Sequence, residues 1–302
     1  MSINMQSKNK YYRFFFAAAL FVVAAAANIT SAQTAAVLDT VKQTDVTVSN
    51  VKNAETESAG AAAAQSSSSS SDWTGVYIGG YLGGNFNRSS ANTSTVFNSS
   101  GYFAASSVTA INSSGAQKLD PNGFTGGATL GYNYQSGRFL IGAETDFGAL
   151  TGKKTATTTT VYPCCSPTSF TIAQSVKTDW IFTARPRVGV IAGNALFYGT
   201  GGLAVTKIDY NARFTDNFAS ANESGAINKT RAGWTAGGGV EYKVANKWSV
   251  KGEYLFADFR RATTTSTNLT AFTPPTAYPS NVFTHSIYSK NHMLRFGVNY
   301  HF

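Results

Sequence analysis

The last residues of the chain alternate strictly between apolar and polar side chains, and this pattern constrains the fold more than any other feature. In segment 291–302, every second residue from Leu294 to Phe302 is apolar, and the residues between them are polar or small, such as Arg295 and Asn299. A period of two residues predicts a β-strand with one apolar face and one polar face. A strand of about ten residues that ends on an aromatic side chain is typical of a transmembrane β-barrel, although an edge strand of a soluble sandwich has the same local pattern.

The same pattern recurs throughout the second part of the chain. We identify eight alternating segments, at 73–86, 123–134, 139–149, 179–191, 196–207, 231–242, 248–257 and 291–302. Tight turns at 135–138, 192–195 and 244–247 alternate with long polar stretches, which we interpret as loops, at 87–122, 150–178, 208–230 and 258–290. Short turns on one rim and long loops on the other are typical of outer-membrane barrels. The sequence therefore predicts an all-β fold, an eight-stranded antiparallel up-and-down transmembrane β-barrel.

The chain before residue 72 differs in composition. Residues 1–32 have the features of a secretory signal peptide: basic residues, then an apolar run at 14–27, then small residues at 30–32 for cleavage. The apolar run is shorter than the ~20 residues that a spanning helix needs. Residues 33–71 contain no Phe, Tyr or Trp and end in a serine run, which predicts a flexible Ala/Ser/Thr-rich linker. The barrel is predicted to occupy residues 72–302.

Nine charged residues lie on the face opposite the apolar side chains of these segments. They are Glu144, Asp146, Arg185, Arg187, Arg231, Glu241, Lys251, Glu253 and Arg295. In a membrane barrel this face is the lumen, because an Arg or Lys that faces lipid costs about 2–4 kcal/mol at the midplane. The interior of an eight-stranded barrel is only wide enough for side chains to fill. We therefore predict that a salt-bridge network closes the lumen, with a selectivity filter or a proton relay as the alternative.

Signals for other classes of function are weak. The formal net charge of +9 is scattered rather than gathered in a Lys/Arg run, which argues against nucleic-acid binding. The run at 199–204 imitates a nucleotide-binding fingerprint, but no predicted helix follows it to supply a phosphate site. The motifs G-x-S-x-G and H-E-x-x-H are absent from the sequence. Because no nucleophile–His–carboxylate set is present either, we expect no enzyme activity.

Two local groups of residues in the polar stretches could carry chemistry. Cys164 and Cys165 are adjacent, and in an exported protein we expect them to be oxidised, either as a vicinal disulfide or by pairing with other chains. His285 with the nearby Tyr288 is the pair that we nominate for hemin contact, because haem takes an axial His, Tyr, Met or Cys ligand. An ordinary polar loop is the alternative for this pair. We expect no other cofactor and no metal site.

Several short motifs, taken in their order along the chain, resemble those of the small bacterial outer-membrane immunogenic proteins. This group of porin-family, OmpA-like β-barrels includes hemin-binding surface proteins. The matching segments are 73–79, 142–146, 185–189, 198–204, 233–242 and the terminal strand. The chain departs from the pattern at Pro186, which lies within a predicted strand and predicts a bulge or an irregular register there.

The resemblance covers the chain from about residue 72 to its end, and it implies a location as well as a fold. It implies an eight-stranded barrel in the bacterial outer membrane, in contact with lipid, without enzyme activity. It also implies that the barrel-assembly machinery reads the terminal Phe302. We expect a surface protein that contributes to envelope integrity and contacts a host or another surface ligand. The alternatives are a passive porin for small solutes and a hemin-binding surface protein.

Overall fold

The computed structural model describes residues 72–302, and their long strands form a closed antiparallel barrel. The eight strands of the wall are β1 (Gly75–Thr95), β3 (Gly123–Ser136), β4 (Phe139–Val161), β5 (Ser169–Ala192), β6 (Ala195–Asp216), β7 (Asn222–Ala245), β8 (Trp248–Ser266) and β11 (Phe283–His301). Each pairs with the next strand of this series, and β11 pairs with β1 from Tyr77 opposite His301 to Thr95 opposite Phe283. The predicted fold class is confirmed. The predicted signal peptide and linker lie outside the described residues and stay predictions.

The two rims of the barrel differ in their connections. Turns of two residues join β3 to β4, β5 to β6 and β7 to β8, and we call this end the short-turn rim. Gly137 and Gly193 begin two of these turns with φ near +60°, a conformation that two-residue hairpins require and that glycine adopts without strain. The other end, the loop rim, has longer connections at 96–122, 162–168, 217–221 and 267–282.

Four short elements lie in the connections of the loop rim. They are the helix α1 (Ala105–Gly115) and the strands β2 (Ala116–Leu119), β9 (Thr270–Ala271) and β10 (Thr276–Ala277). The helix packs closely on β1, because a Cβ atom at Gly115 would lie 1.8 Å from the Thr93 carbonyl oxygen. Among residues 72–302, no helix is long and apolar enough to cross a membrane.

Most strands extend far beyond the predicted segments. Strands β4 to β7 contain 22–24 residues each, so the stretches 150–178 and 208–230, predicted as loops, are mostly strand. A tilted strand needs only about 9–11 residues to cross the hydrocarbon region. The predicted segments covered only that part of each strand, so the interpretation of the residues beyond it as loops was wrong. The remaining residues of β4 to β7 extend beyond the membrane on the loop side, where their outer face contacts water. Their outward side chains are polar, and this composition resembles that of a loop.

The apolar and polar faces change sides along β6. Near the short-turn rim its outward residues are apolar, up to Leu203 and Val205, and the next outward residues are Lys207 and Asp209. The inward residues of the outer half are buried and mostly apolar: Ile208, Tyr210, Ala212 and Phe214. The change from apolar to polar outward residues between Val205 and Lys207 marks the edge of the lipid-facing band on the loop side. Above it the barrel has the polarity of a soluble protein, with an apolar interior.

Side chains fill the interior in successive layers. An apolar group lies next to the short-turn rim and consists of Trp73, Leu140, Ile191, Leu196 and Tyr198. A charged layer follows, then a large apolar layer that includes Leu150, Ile181, Leu255 and Met293. An apolar group at the loop rim, which we call the outer cap, consists of Phe103, Val108, Ile111, Tyr162, Phe170, Ile172, Phe214, Ala221, Leu269, Ala271 and Phe283. Helix α1 contributes two of these residues.

Pro186 interrupts the ladder between β5 and β6 without shifting its register. The residue pairs on either side of it keep the same alignment, and Thr200 Oγ1 donates a hydrogen bond to the Pro186 carbonyl oxygen at 2.8 Å. The predicted register irregularity is therefore wrong at this position, because the proline removes one N–H donor but leaves the alignment of the strands intact. The register shift of this strand pair lies instead between Thr178 and Ile181.

Candidate functional site

Eight of the nine charged residues named from the sequence meet in the lumen, four of each sign. They are Glu144, Asp146, Glu241 and Glu253 with Arg185, Arg187, Lys251 and Arg295, and none of their side chains is more than 3% exposed. They come from β4, β5, β7, β8 and β11, at alternate positions that all face inward. Their formal charges cancel. Buried charges need such partners, because an unpaired ion in a low-dielectric interior is costly.

Arg185 is the centre of this network. Its Nη2 lies 2.6 Å from Glu144 Oε1 and 2.8 Å from Asp146 Oδ2, and its Nη1 lies 3.1 Å from Glu253 Oε1. The two acids on β4 lie two residues apart and therefore share a face, while Arg185 stands directly opposite Glu144 in the ladder to β5. One guanidinium thus holds carboxylates from two separate strands. The planar fork of arginine suits such multiple contacts.

The other cations extend the network across the lumen. Arg187 bridges Glu144 and Glu241 at 3.3 and 2.9 Å, and Lys251 Nζ lies 2.8 Å from Glu144 Oε2. Arg295, on the last strand, bridges Asp146 and Glu253 at 2.9 and 3.1 Å. Tyrosine rings flank the guanidiniums: Tyr77 and Tyr198 at Arg187, and Tyr81 at Arg295, with distances of 4.3–5.0 Å to the ring centroids. The layer is thus bonded across the barrel and packed between aromatic rings.

Arg231 does not belong to this network, and its assignment to it was wrong. Its Nη2 donates a hydrogen bond to the Arg261 carbonyl oxygen at 2.7 Å. The pairing of β7 with β8 ends where Trp234 stands opposite Asp258, and Arg231 lies beyond that point. Because the two strands separate there, its side chain reaches the free edge of β8 instead of the charged layer.

The structure separates the two residues nominated for hemin contact. His285 lies on β11, not in a loop, and is fully buried inside the barrel. Its Nδ1 lies 3.0 Å from Thr93 Oγ1, and its Nε2 lies 2.9 Å from Ser266 Oγ and 3.1 Å from Glu223 Oε1. Tyr288 lies on the opposite face of the strand, where its hydroxyl donates to Asp258 at 2.7 Å. The pair therefore does not converge on one ligand position.

Three further residues named from the sequence lie near the ends of the barrel. Cys164 and Cys165 form a vicinal disulfide in the connection between β4 and β5, where Cys165 packs on the outer cap. Phe302 follows β11, its backbone N–H donates to the Val76 carbonyl oxygen, and the residue is 72% exposed on the outer face. The reading of Phe302 by the assembly machinery stays a prediction.

Asp216 joins the buried Tyr162 and the half-buried Tyr102 at the outer cap, a group that the sequence did not single out. Tyr102 and Tyr162 both donate to Asp216 Oδ2, at 2.7 and 2.8 Å. Burial raises the pKa of both tyrosines above the ordinary value, and the Asp216 carboxylate raises it further. Tyr102 and Tyr162 come from different connections of the loop rim and Asp216 ends β6, so local spacing in the sequence could not predict that they meet.

This arrangement makes the outer cap sensitive to alkaline pH. A tyrosine in an unfolded chain loses its proton near pH ~10. Since the folded pKa of Tyr102 and Tyr162 is higher, the unfolded state releases protons first, and stability is lost as the pH rises above that value. We expect ultraviolet titration of the phenolates to show fewer late-ionising tyrosines in a Tyr102→Phe/Tyr162→Phe variant. A late phase of unchanged size in that variant would contradict this assignment.

A closed barrel with an apolar outer band and a filled, charged lumen defines a transmembrane β-barrel. The model of the outer membrane protein beta-barrel domain matches residues 58–302. The chain belongs to this family and is an outer-membrane protein.

Named relatives agree with this assignment. The chain is 35% identical over 193 residues to the 31 kDa outer-membrane immunogenic protein of Brucella melitensis, covering 62% of this chain and 71% of that protein. It is 30% identical over 138 residues to the 22 kDa outer membrane protein of Rhizobium leguminosarum, covering 46% and 54%. Among solved structures, the outer membrane protease OmpT of Escherichia coli aligns with a TM-score of 0.40 and 8% identity over 76% of this chain and 97% of OmpT. Similarity this low says nothing about activity.

Proposed function

We propose that this protein is a non-conducting, non-catalytic barrel that anchors a surface-exposed structure in the outer membrane. It contributes to envelope integrity and presents its loop rim to the surroundings of the cell. The relatives named as immunogenic proteins support a role at the cell surface.

The observation that carries this proposal is the filled lumen. The charged layer has side chains with at most 3% exposure, and the residues above and below it include Ile181, Leu196 and Leu255, each 0% exposed. A solute that crossed the barrel would have to break ion pairs and displace packed apolar side chains. Each buried pair that is broken costs several kcal/mol, on the order of 3–5. This favours a closed barrel over a passive porin.

Single-channel recording of the refolded chain in a planar bilayer tests the proposal. We expect no reproducible conductance steps from protein that is folded and inserted, as shown by its shifted migration on unheated gels. An Arg187→Ala/Arg295→Ala variant removes two cations and four ion pairs of the charged layer and is expected to give small steps. A Lys177→Ala variant changes only an exposed strand position and is the matched control. Regular steps from the unmodified chain would overturn the proposal in favour of a porin.

A further inference from the structure

The outer wall carries a group of cations on three neighbouring strands. We define the basic patch as Arg88 on β1, Lys290 on β11, and Arg260 and Arg261 on β8. Arg88 stands directly opposite Lys290, and both face outward. Arg88, Arg260 and Arg261 are exposed, and Lys290 is half-buried. The one acid within the patch is Asp258, opposite Lys290, and its two oxygens accept hydrogen bonds from the Tyr288 hydroxyl and the Arg260 backbone N–H.

The basic patch lies directly above the lipid-facing band. The outward residues just below it on the same strands are aromatic or aliphatic: Phe86 on β1, Leu294 on β11 and Phe256 on β8. His292 lies between the two zones, with its ring 5.1 Å from that of Phe256. Aromatic side chains mark the interface between hydrocarbon and headgroups in transmembrane barrels. The cations are thus at the level of the headgroups on the loop side.

A β-bulge presents both arginines of β8 on the outer wall. Asp258 pairs with Lys290 and Arg261 pairs with Tyr288, so the stretch between them holds one more residue on β8 than on β11. Arg260 has a φ of 59°, a left-handed conformation that is unfavourable for a residue with a side chain. In a regular strand, two successive residues face opposite sides. The bulge instead leaves Arg260 and Arg261 both exposed, as bulges that re-aim a side chain do.

Two lysines on the loop side of another part of the wall have partners of their own. Lys177 on β5 lies 2.7 Å from Asp179, and Lys207 on β6 lies 3.8 Å from Asp209. Each of these cations has a carboxylate two residues away on its own strand. The basic patch holds four cations and a single acid whose oxygens are already engaged. Four cations against one acid leave a formal net charge of +3 on three neighbouring strands.

We propose that the basic patch binds the phosphate groups of lipid headgroups in the leaflet on the loop side. Arginine guanidiniums bind phosphate through paired, charge-assisted hydrogen bonds. Cations next to a membrane surface also gain from the negative potential of anionic lipids. The patch lies where the acyl chains of such a lipid can cover the apolar band below while its phosphates contact the cations. A lipid can contact both the cations and the apolar band, whereas a soluble anion can contact only the cations.

Lipid retention measured by native mass spectrometry tests this proposal. The full chain is refolded into phosphatidylcholine vesicles that contain a small fraction of diphosphoryl lipid A, extracted in mild detergent, and examined for bound lipid. The test variant is Arg260→Gly/Arg261→Gln, because glycine suits the positive φ of position 260. We expect its affinity for lipid A to fall roughly tenfold or more, since each cation near an anionic surface contributes about a factor of five. The control variant Lys177→Gln/Lys207→Gln removes two cations that already have partners, and we expect it to retain lipid A like the unmodified chain.

The outcomes distinguish binding of a lipid phosphate from nonspecific attraction to cations and from binding of free phosphate. All variants must show the shifted gel migration of a folded barrel, and Arg261→Gln alone serves if the double variant does not fold. Equal loss in the test and control variants would overturn the proposal, and so would equal retention of lipid A and its dephosphorylated form. Displacement of the lipid by low concentrations of inorganic phosphate would identify a site for free phosphate and would also overturn it.

Discussion

Replacing Arg185 with alanine is expected to lower the free energy of unfolding by about 3–5 kcal/mol, the cost of removing one partner from a buried ion pair. Arg185 contacts Glu144, Asp146 and Glu253, and its side chain is fully buried. Its removal leaves carboxylates with less positive charge around them and no access to water. Urea unfolding in lipid vesicles, followed by tryptophan fluorescence, measures the change.

Two further variants make the Arg185 prediction specific. Lys177→Ala removes a cation from the exposed pair with Asp179, whose side chains are 54% and 38% exposed, and such pairs contribute at most about 1 kcal/mol. Arg185→Lys keeps the charge but cannot hold three carboxylates with one planar group, so we expect an intermediate loss. If Arg185→Ala costs no more than Lys177→Ala, the charged layer does not stabilise the barrel and the prediction fails.

The lumen was predictable because its signal is local. On the strands that carry lumen charges, most inward charges stand between small or apolar outward neighbours, as Arg187 does between Pro186 and Val188. Lipid outside the barrel requires apolar outward residues, and charged residues are therefore confined to inward positions. Arg231 shows the limit of the pattern: its neighbours also alternate, but its strand has already left the membrane zone and separated from β8 there. The level at which two neighbouring strands separate depends on the whole barrel, so it cannot be predicted from the sequence of one strand.

The outer half of the barrel was missed although the sequence carries a signal for it. From Lys207 to Phe214, β6 alternates strictly between polar and apolar residues, with the polar set facing water. The composition rich in Ser, Thr and Asn hid this period, because the same residues favour loops. Register shifts between Thr178 and Ile181 and beside Arg260 interrupt the phase further. His285 was placed in a loop for the same reason, although it lies inside the barrel.

Replacing Phe214 with alanine should reveal whether the outer half has a hydrophobic core of its own. Phe214 is fully buried in the outer cap, and its ring centroid lies 5.4–5.7 Å from those of Phe103, Phe170 and Phe283. Truncation of a buried phenylalanine costs about 3–5 kcal/mol through lost burial and the cavity left behind. The same urea unfolding experiment in lipid vesicles measures this loss. Phe218→Ala is the matched control, because Phe218 is 53% exposed and surface changes stay within about 0.5 kcal/mol.

Combining the two changes distinguishes one cooperative barrel from two separately stabilised halves. Arg185 lies in the charged layer and Phe214 in the outer cap, with an apolar layer between them. Changes at distant sites with no shared partners add to within about 0.3–0.5 kcal/mol in a single cooperative transition. If the outer half instead unfolds first, Phe214→Ala shifts an early phase and leaves the main transition unmoved, while Arg185→Ala shifts the main transition alone. We expect a single transition and additive losses, because seven of the eight wall strands, all except β3, continue through both halves.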